Sequence, residues 1–115
     1  MPNLRLEGQK AEDLAAGYLL SQGFTLVTRR YAIKGGEIDL IALDGEILVF
    51  VEVRSRSGKG LTPEESVDAR KRARLVRAAE RYLEESRETR ETRFDLVAVE
   101  GSDLRHHRDF FRPGM

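Results

Sequence analysis

The chain has 115 residues, enough for one domain (residues 1–115) with a single modest core and too few for two. Its 20 basic and 20 acidic residues cancel, so bulk charge does not advertise a polyanion partner. The absence of cysteine excludes disulfides, thiolate zinc sites and a cysteine nucleophile together.

With 40% hydrophobic and 35% charged residues the composition is that of a folded, soluble protein. No apolar run approaches bilayer-spanning length, and Met1-Pro2-Asn3-Leu4-Arg5 lacks the apolar stretch of a signal peptide. A cytoplasmic protein with no membrane partner is therefore expected.

The first helix is predicted from about Gly8 to Ser21. Ala11, Leu14, Ala15, Tyr18 and Leu19 form its buried stripe, and Gly23 ends it. Phe24 to Tyr31 reads as a strand rich in β-branched residues, and Lys34-Gly35-Gly36 as a turn. Glu37–Leu43 and Glu46–Arg54 form the clearest hairpin, joined by Asp44-Gly45, a dipeptide favoured in type I′ turns. Ser55 to Leu61 is a glycine-containing loop. Thr62-Pro63-Glu64-Glu65 has the form of a capping box, so a second helix is predicted from there to about Glu85. Arg93 to Val99 is a further strand, and the tail from Arg105 to Phe111 adds a short edge strand. The order α-β-β-β-α-β describes a mixed β-sheet flanked by helices.

Three acids interrupt the apolar hairpin: Glu37, Asp39 and Glu52. An acid inside an apolar strand costs free energy unless something pairs with it. A two-residue turn at Asp44-Gly45 sets Leu43 against Glu46, Asp39 against Phe50 and Glu37 against Glu52. Side chains alternate with period two, so Glu37, Asp39, Glu52 and Arg54 are predicted on one face, at the open end of the hairpin. Opposed residues have Cβ atoms roughly 4.5–5.5 Å apart and diagonal ones such as Asp39 and Glu52 about 7 Å, and carboxylates at that spacing can reach a common ion. Oxygen ligands without histidine or cysteine suit magnesium or manganese, and either ion can activate water and bind a phosphate. Arg54 can neutralise charge developing on that phosphate. For any single acid, a plain ion pair with Arg54, Arg29 or Arg30 is the commoner outcome. Three acids and a cation on one face favour the ion.

Glu37-Ile38-Asp39, the hairpin, then Phe50-Val51-Glu52-Val53-Arg54 resembles the D…E-x-K signature of the PD-(D/E)XK nuclease superfamily. The likeness is closest to the YraN family of small bacterial predicted endonucleases, related to archaeal Holliday junction resolvases. It covers nearly the whole chain, through Gly8, Glu12-Asp13-Leu14-Ala15, Tyr18-Leu19, Gly23, Gly36 to Ala42, Phe50 to Arg56, Lys71, Tyr82-Leu83 and Arg93 to Val97. The resemblance implies a restriction-endonuclease-like fold. It also implies Asp39 and Glu52 as metal ligands, Glu37 as an auxiliary acid and Glu12 as a further ligand. DNA, branched or otherwise structured, is the implied substrate, and a homodimer the implied assembly, to which exposed Phe110 and Phe111 would contribute. The family usually carries lysine where this chain has Arg54. Arginine keeps the charge but does not readily deprotonate. Two readings stay open: a metal-dependent endonuclease, or a nuclease-fold DNA-binding protein whose chemistry has been lost.

Four basic residues are candidates for nucleic-acid contact. Arg56 and Lys59 lie in the loop after the motif strand, and Lys71 and Arg74 on the second helix; of these Lys71 has the family pattern behind it. His106-His107 would point to opposite faces of a strand and is read as two surface histidines. Tyr18 and Tyr82 are read as core. Gly35-Gly36 lacks the spacing of a dinucleotide-binding loop.

Overall fold

The structure is a computed structural model that describes residues 4–56 and 60–114. Helix α1 (Leu4–Ser21) leads into β1 (Thr25–Ile33), β2 (Gly36–Asp44) and β3 (Ile47–Arg56). Helix α2 (Ala69–Ser86), β4 (Thr92–Glu100) and β5 (Asp103–His107) follow. The five strands form one mixed sheet in the order β1-β2-β3-β4-β5. β1, β2 and β3 are an antiparallel meander, β4 runs parallel to β3 after the α2 crossover, and β5 returns antiparallel. This mixed α/β architecture, α-β-β-β-α-β-β, is consistent with a restriction-endonuclease-like fold. Among the described residues no helix is long and apolar enough to cross a membrane.

Each face of the sheet carries its own core. Under α1, Ala11, Ala15, Ala16 and Leu19 pack on Leu40, Ala42, Val49, Val51, Val97 and Val99. Under α2, Leu75, Ala78 and Ala79 pack on Ile38, Ile41, Leu48, Phe50 and Phe94. The strands alternate between these clusters, as the pleat requires. The stripe on α1 differs from the predicted one: Leu14 is 57% exposed, whereas Glu12 is 7% exposed. The helix is rolled so that 11, 12, 15, 16 and 19 face the sheet, and Glu12 is tolerated there because Arg29 and Arg30 reach it.

The hairpin turn is Gly45-Glu46, with Asp44 paired to Ile47 and Leu40 to Val51. Gly45 has φ of 60° while Glu46 is not in the positive-φ region, a pattern that matches a glycine-first type II′ turn and corrects the type I′ reading. The register is thereby displaced by two residues. An even displacement leaves the apolar side chains of residues 40–43 and 47–53 on their expected faces, whereas Ile38, expected beside Leu40, lies on the other side under α2.

The capping box at Thr62 forms as predicted: Thr62 N–H donates to Glu65 Oε1 at 3.0 Å, and Glu65 N–H to Thr62 Oγ1 at 3.1 Å. It closes a single turn and not the helix. Val67 is buried after it, and α2 starts afresh at the N-cap Asp68, whose side chain accepts from Lys71 N–H at 2.9 Å.

Gly36 fixes how closely α2 approaches β2. A Cβ there would overlap the carbonyl oxygen of Arg74 and lie 3.2 Å from Ala78 N. Both obstacles are helix backbone, which cannot rotate away as a side chain would. Gly36→Ala is therefore expected to cost about 2–3 kcal/mol in urea unfolding, as overpacking against rigid groups does. A loss below about half a kcal/mol would show that the helix can retreat.

Candidate active site

The β2–β3 ladder is regular from the turn to Leu40 and Val51, and the next residues along are Asp39 and Glu52. Val53 N–H donates at 2.8 Å to Asp39 Oδ2, a side chain where a strand carbonyl would ordinarily stand. Alternation along β2 also slips here, since Ile38 packs under α2 together with Ile41 while Leu40 packs under α1. Opposite on β1, Arg30 adopts a left-handed φ of 55°. The sheet parts at this point, and Asp39 sits in the parting.

Glu52 follows Leu48 and Phe50 in pointing toward α2, where it is 4% exposed. Asp39 stands beside it on the neighbouring strand. Burial first, and then Asp39 as a hydrogen-bond partner and a like charge, push the Glu52 carboxyl up to about 9, with Lys71 acting the other way. The Lys71 ammonium, 18% exposed, lies 3.3 Å from Glu52 Oε2 and 3.4 Å from Glu37 Oε1. The first contact is an ion-pair distance without hydrogen-bond alignment, and Glu52 Oε2 has no hydrogen-bond partner. A buried carboxylate oxygen left without a partner is costly in a folded protein.

The other predicted residues are placed as follows. Glu37 is exposed and touches the group only through Lys71. Glu12 lies in the same crevice as Asp39 but is held by Arg29 at 3.1 Å and Arg30 at 3.2 Å. Asp39 also lines a second crevice, with Glu37 and Ile38. Arg54 donates from Nε to Ser66 Oγ at 2.9 Å, and that hydroxyl donates in turn to Pro63 carbonyl oxygen at 2.6 Å. Arg56 is taken up by Glu100 and by Gly60 carbonyl oxygen. Arg74 is half-buried on α2, and Lys59 lies outside the described residues.

Among the described residues no three acids or histidines are gathered closely enough to enclose an ion. Two are adjacent, and that donor set fits magnesium or manganese, which are commonly held by one or two carboxylates with waters and substrate phosphates completing the shell. Glu52 Oε2, which faces Lys71 at 3.3 Å but accepts no hydrogen bond, is the oxygen such an ion would satisfy.

Sequence reasoning missed that Lys71 would join the acids. Its signal was present in Asp68, which caps α2 and sets Lys71 on the first turn, directed at β3. It missed His106 more completely. The pair does point two ways, but only His107 is at the surface; the His106 side chain is 4% exposed and its Nε2 lies 2.8 Å from Asp95 Oδ2. Phe110 and Phe111 are half-buried against the chain's own core and not fully exposed, with Phe111 packed 4.8 Å from the Phe94 ring.

Comparison with known proteins places these features. Residues 11–99 match the model of the uncharacterised protein family UPF0102. The chain belongs to UPF0102. It is 45% identical to a UPF0102 protein of Carboxydothermus hydrogenoformans, over 90% of this chain and 89% of that one. A UPF0102 protein of Halorhodospira halophila is 47% identical over 94% of this chain and 88% of its own. One from Moorella thermoacetica is 47% identical over 83% and 81%. The matched span of UPF0102 runs from the helix that carries Glu12, through Asp39, Glu52 and Lys71, to the end of β4.

Proposed function

We propose that this UPF0102 protein is a metal-dependent endonuclease that hydrolyses DNA phosphodiesters, with Asp39 and Glu52 as the metal ligands. One observation carries the reading: a buried glutamate beside an aspartate, where the sheet opens, with an oxygen that faces the Lys71 ammonium but accepts no hydrogen bond. Bound magnesium or manganese would supply an activated water and charge neutralisation at the phosphate.

The chain's own residues divide the remaining work. Asp39 is fixed by Val53 N–H, which leaves its other oxygen free to bind. Lys71 holds a positive charge between Glu52 and Glu37 and so favours the ionised form of Glu52 that a metal ligand requires. Were Asp39 and Glu52 to hold an ion, the Lys71 ammonium beside them would be the chain's own cation available to the phosphate. Glu37 keeps Lys71 in place, and Glu12 positions Arg29 and Arg30 along the approach. Cutting both strands of a branched or duplex substrate calls for two such sites, hence a homodimer.

The second reading, a binding protein that has lost its chemistry, is favoured by one contact. Arg54, the residue at the usual lysine position, is bonded to Ser66. Cleavage of nicked, flap and four-way-junction DNA distinguishes the two. With magnesium or manganese the wild type is expected to cut, and chelator or Asp39→Ala to abolish cutting without abolishing binding. Lys71→Ala should lower the rate by about 10²-fold, the scale of one lost electrostatic contact in a transition state. Arg54→Lys tests whether that position still matters. DNA bound but never cut, with either metal, removes the enzyme reading.

A further inference from the structure

A groove of about 920 Å³ lies between α2 and the C-terminal segment, on the flank of the helix away from Lys71. Its floor is the α2 stripe Ala69, Ala73 and Val76, and its far wall is Phe110 and Phe111. Phe110 N–H donates to Phe94 carbonyl oxygen at 2.8 Å, so the wall is anchored to the sheet. The Arg72 guanidinium lies over both rings, 5.6 Å from the centre of Phe110 and 5.5 Å from that of Phe111. Arg77 stands beside it and spends one nitrogen on Gly35 carbonyl oxygen. The acids of the groove are Glu80 and Asp109, the latter paired with Arg112.

Charge pairing singles this flank out. Arg29, Arg93 and Arg105 on the sheet are held by carboxylates, and Arg54 by the Ser66 hydroxyl. Among the described residues Arg70, Arg72, Arg74 and Arg77 form no such pair, although all four fall within two turns of one helix. In a chain with no net charge, unpaired guanidiniums concentrated on one helix leave a local positive potential. A guanidinium held near two aromatic rings can stack against a planar group and offer its edge to a phosphate. Aromatic or guanidinium stacking surfaces beside a positive track are what unpaired nucleobases on a phosphate backbone require. Duplex DNA hides its base faces and has no use for them.

We infer that this groove binds a single-stranded segment of nucleic acid, bases stacked on Arg72 and the phenyl wall and phosphates met by Arg72 and Arg77. The inference rests on the nuclease reading for its polyanion class, and it specifies that reading: the substrate carries an unpaired strand. Lys71 and Arg72 are sequence neighbours, one toward the carboxylates and one into the groove, so a strand held here runs beside the cleavage site.

The test is fluorescence anisotropy of a labelled oligo-dT and of a blunt duplex, with chelator present so that no cutting occurs. Wild type is expected to prefer the single strand. Arg72→Ala should weaken that binding by about tenfold, within the range for losing one stacked base. It should also lower the dependence of log affinity on log salt by about one. Arg72→Gln guards against a packing artefact, and Arg81→Ala, on the same helix but paired with Glu85, should change nothing. Oligo-dT carrying 5-iodouracil should cross-link to Phe110 or Phe111. Equal affinities for wild type, Arg72→Ala and the double variant Arg72→Ala/Arg77→Ala overturn the proposal. So does a concentration-dependent rise in mass that the same substitutions abolish, since a second copy would then fill the groove. Single-strand binding lost in Arg72→Ala, with no cutting by wild type, upholds the groove and sinks the enzyme. Metal-dependent cutting with unaltered single-strand affinity in Arg72→Ala does the reverse.

Discussion

Glu52→Gln is expected to make the metal-free protein more stable while lowering metal-dependent cleavage by at least about 10²-fold, since a first ligand should matter no less than the outer groups that support it. The two effects share one cause. Glu52 is 4% exposed and its carboxyl is pushed up to about 9, so the folded protein keeps a proton that the unfolded chain releases near 4.5. With the folded value raised, deprotonation favours unfolding, and stability falls as pH rises across that window. Glutamine has the shape of the protonated acid and carries no charge to desolvate. The gain over wild type should grow from pH 4.5 upward and reach about 1–3 kcal/mol near neutrality, measured in urea with chelator present. A structural role predicts the opposite. If Glu52 and Lys71 were simply a buried ion pair, removing one partner would cost about 3–5 kcal/mol. Loss of stability in Glu52→Gln would therefore count against the site as well as against the pH argument. Acid pH does not confuse the comparison. Arg105 and His107, against some burial, hold Glu64 down to about 2, and its contribution is present above 4.5 and lost only as pH falls below that.

The elements legible in the sequence were those whose cause is local. Alternating apolar residues gave β2 and β3, and the acids that interrupt them marked where the sheet opens. The turn was misplaced by one residue because Gly45 takes the first central position and not the second, a choice made by the twist of the strands and not by the dipeptide. Faces survived from Leu40 onward, since the slip is even, but Ile38 crossed to the α2 side where the alternation of β2 breaks at Asp39. Thr62 and Glu65 formed their capping box, yet the helix did not continue, because burying Val67 turns the chain before Asp68 starts α2. Such a demand comes from the core and leaves no trace in the box itself. Glu12 was read as a resemblance and not as a buried acid. Its burial depends on Arg29 and Arg30, which come from another element. Lys71 was named for phosphate contact, and its place between Glu37 and Glu52 could be seen only once α2 was laid across the hairpin. Each miss is a partnership across elements, and partners distant in sequence carry no periodicity.

His106 is the sharpest case of a distant partnership, and it leads to the largest expected loss of stability. Asp95, 2% exposed, accepts from Arg93 Nε and Nη2 at 2.8 and 2.9 Å and from Asp109 N–H at 3.0 Å. His106 Nε2 lies 2.8 Å from its Oδ2, while His106 Nδ1 meets the Tyr18 hydroxyl at 3.2 Å. Burial alone would raise the Asp95 carboxyl, but these hydrogen bonds outweigh it and hold it below its usual value. One carboxylate thus joins β4, β5, α1 and the start of the C-terminal segment. Asp95→Ala leaves His106 and the Asp109 N–H without their acceptor in a dry place, and Arg93 with Asp44 alone, and is expected to cost about 3–5 kcal/mol in urea unfolding. Asp95→Asn should recover part of this, since it keeps an acceptor but loses the charge. Because a depressed carboxylate stabilises only while ionised, the difference between wild type and Asp95→Asn should shrink as pH falls below 3.8. The substitution should reach the groove as well. Without Asp95 the Asp109 N–H loses its anchor, so amide exchange at Phe110 should quicken before the rest of β4 exchanges. A cost under about 1 kcal/mol, or exchange at Phe110 that keeps pace with β4, would mean that the tail is held by its phenyl rings and that the carboxylate merely lies beneath it.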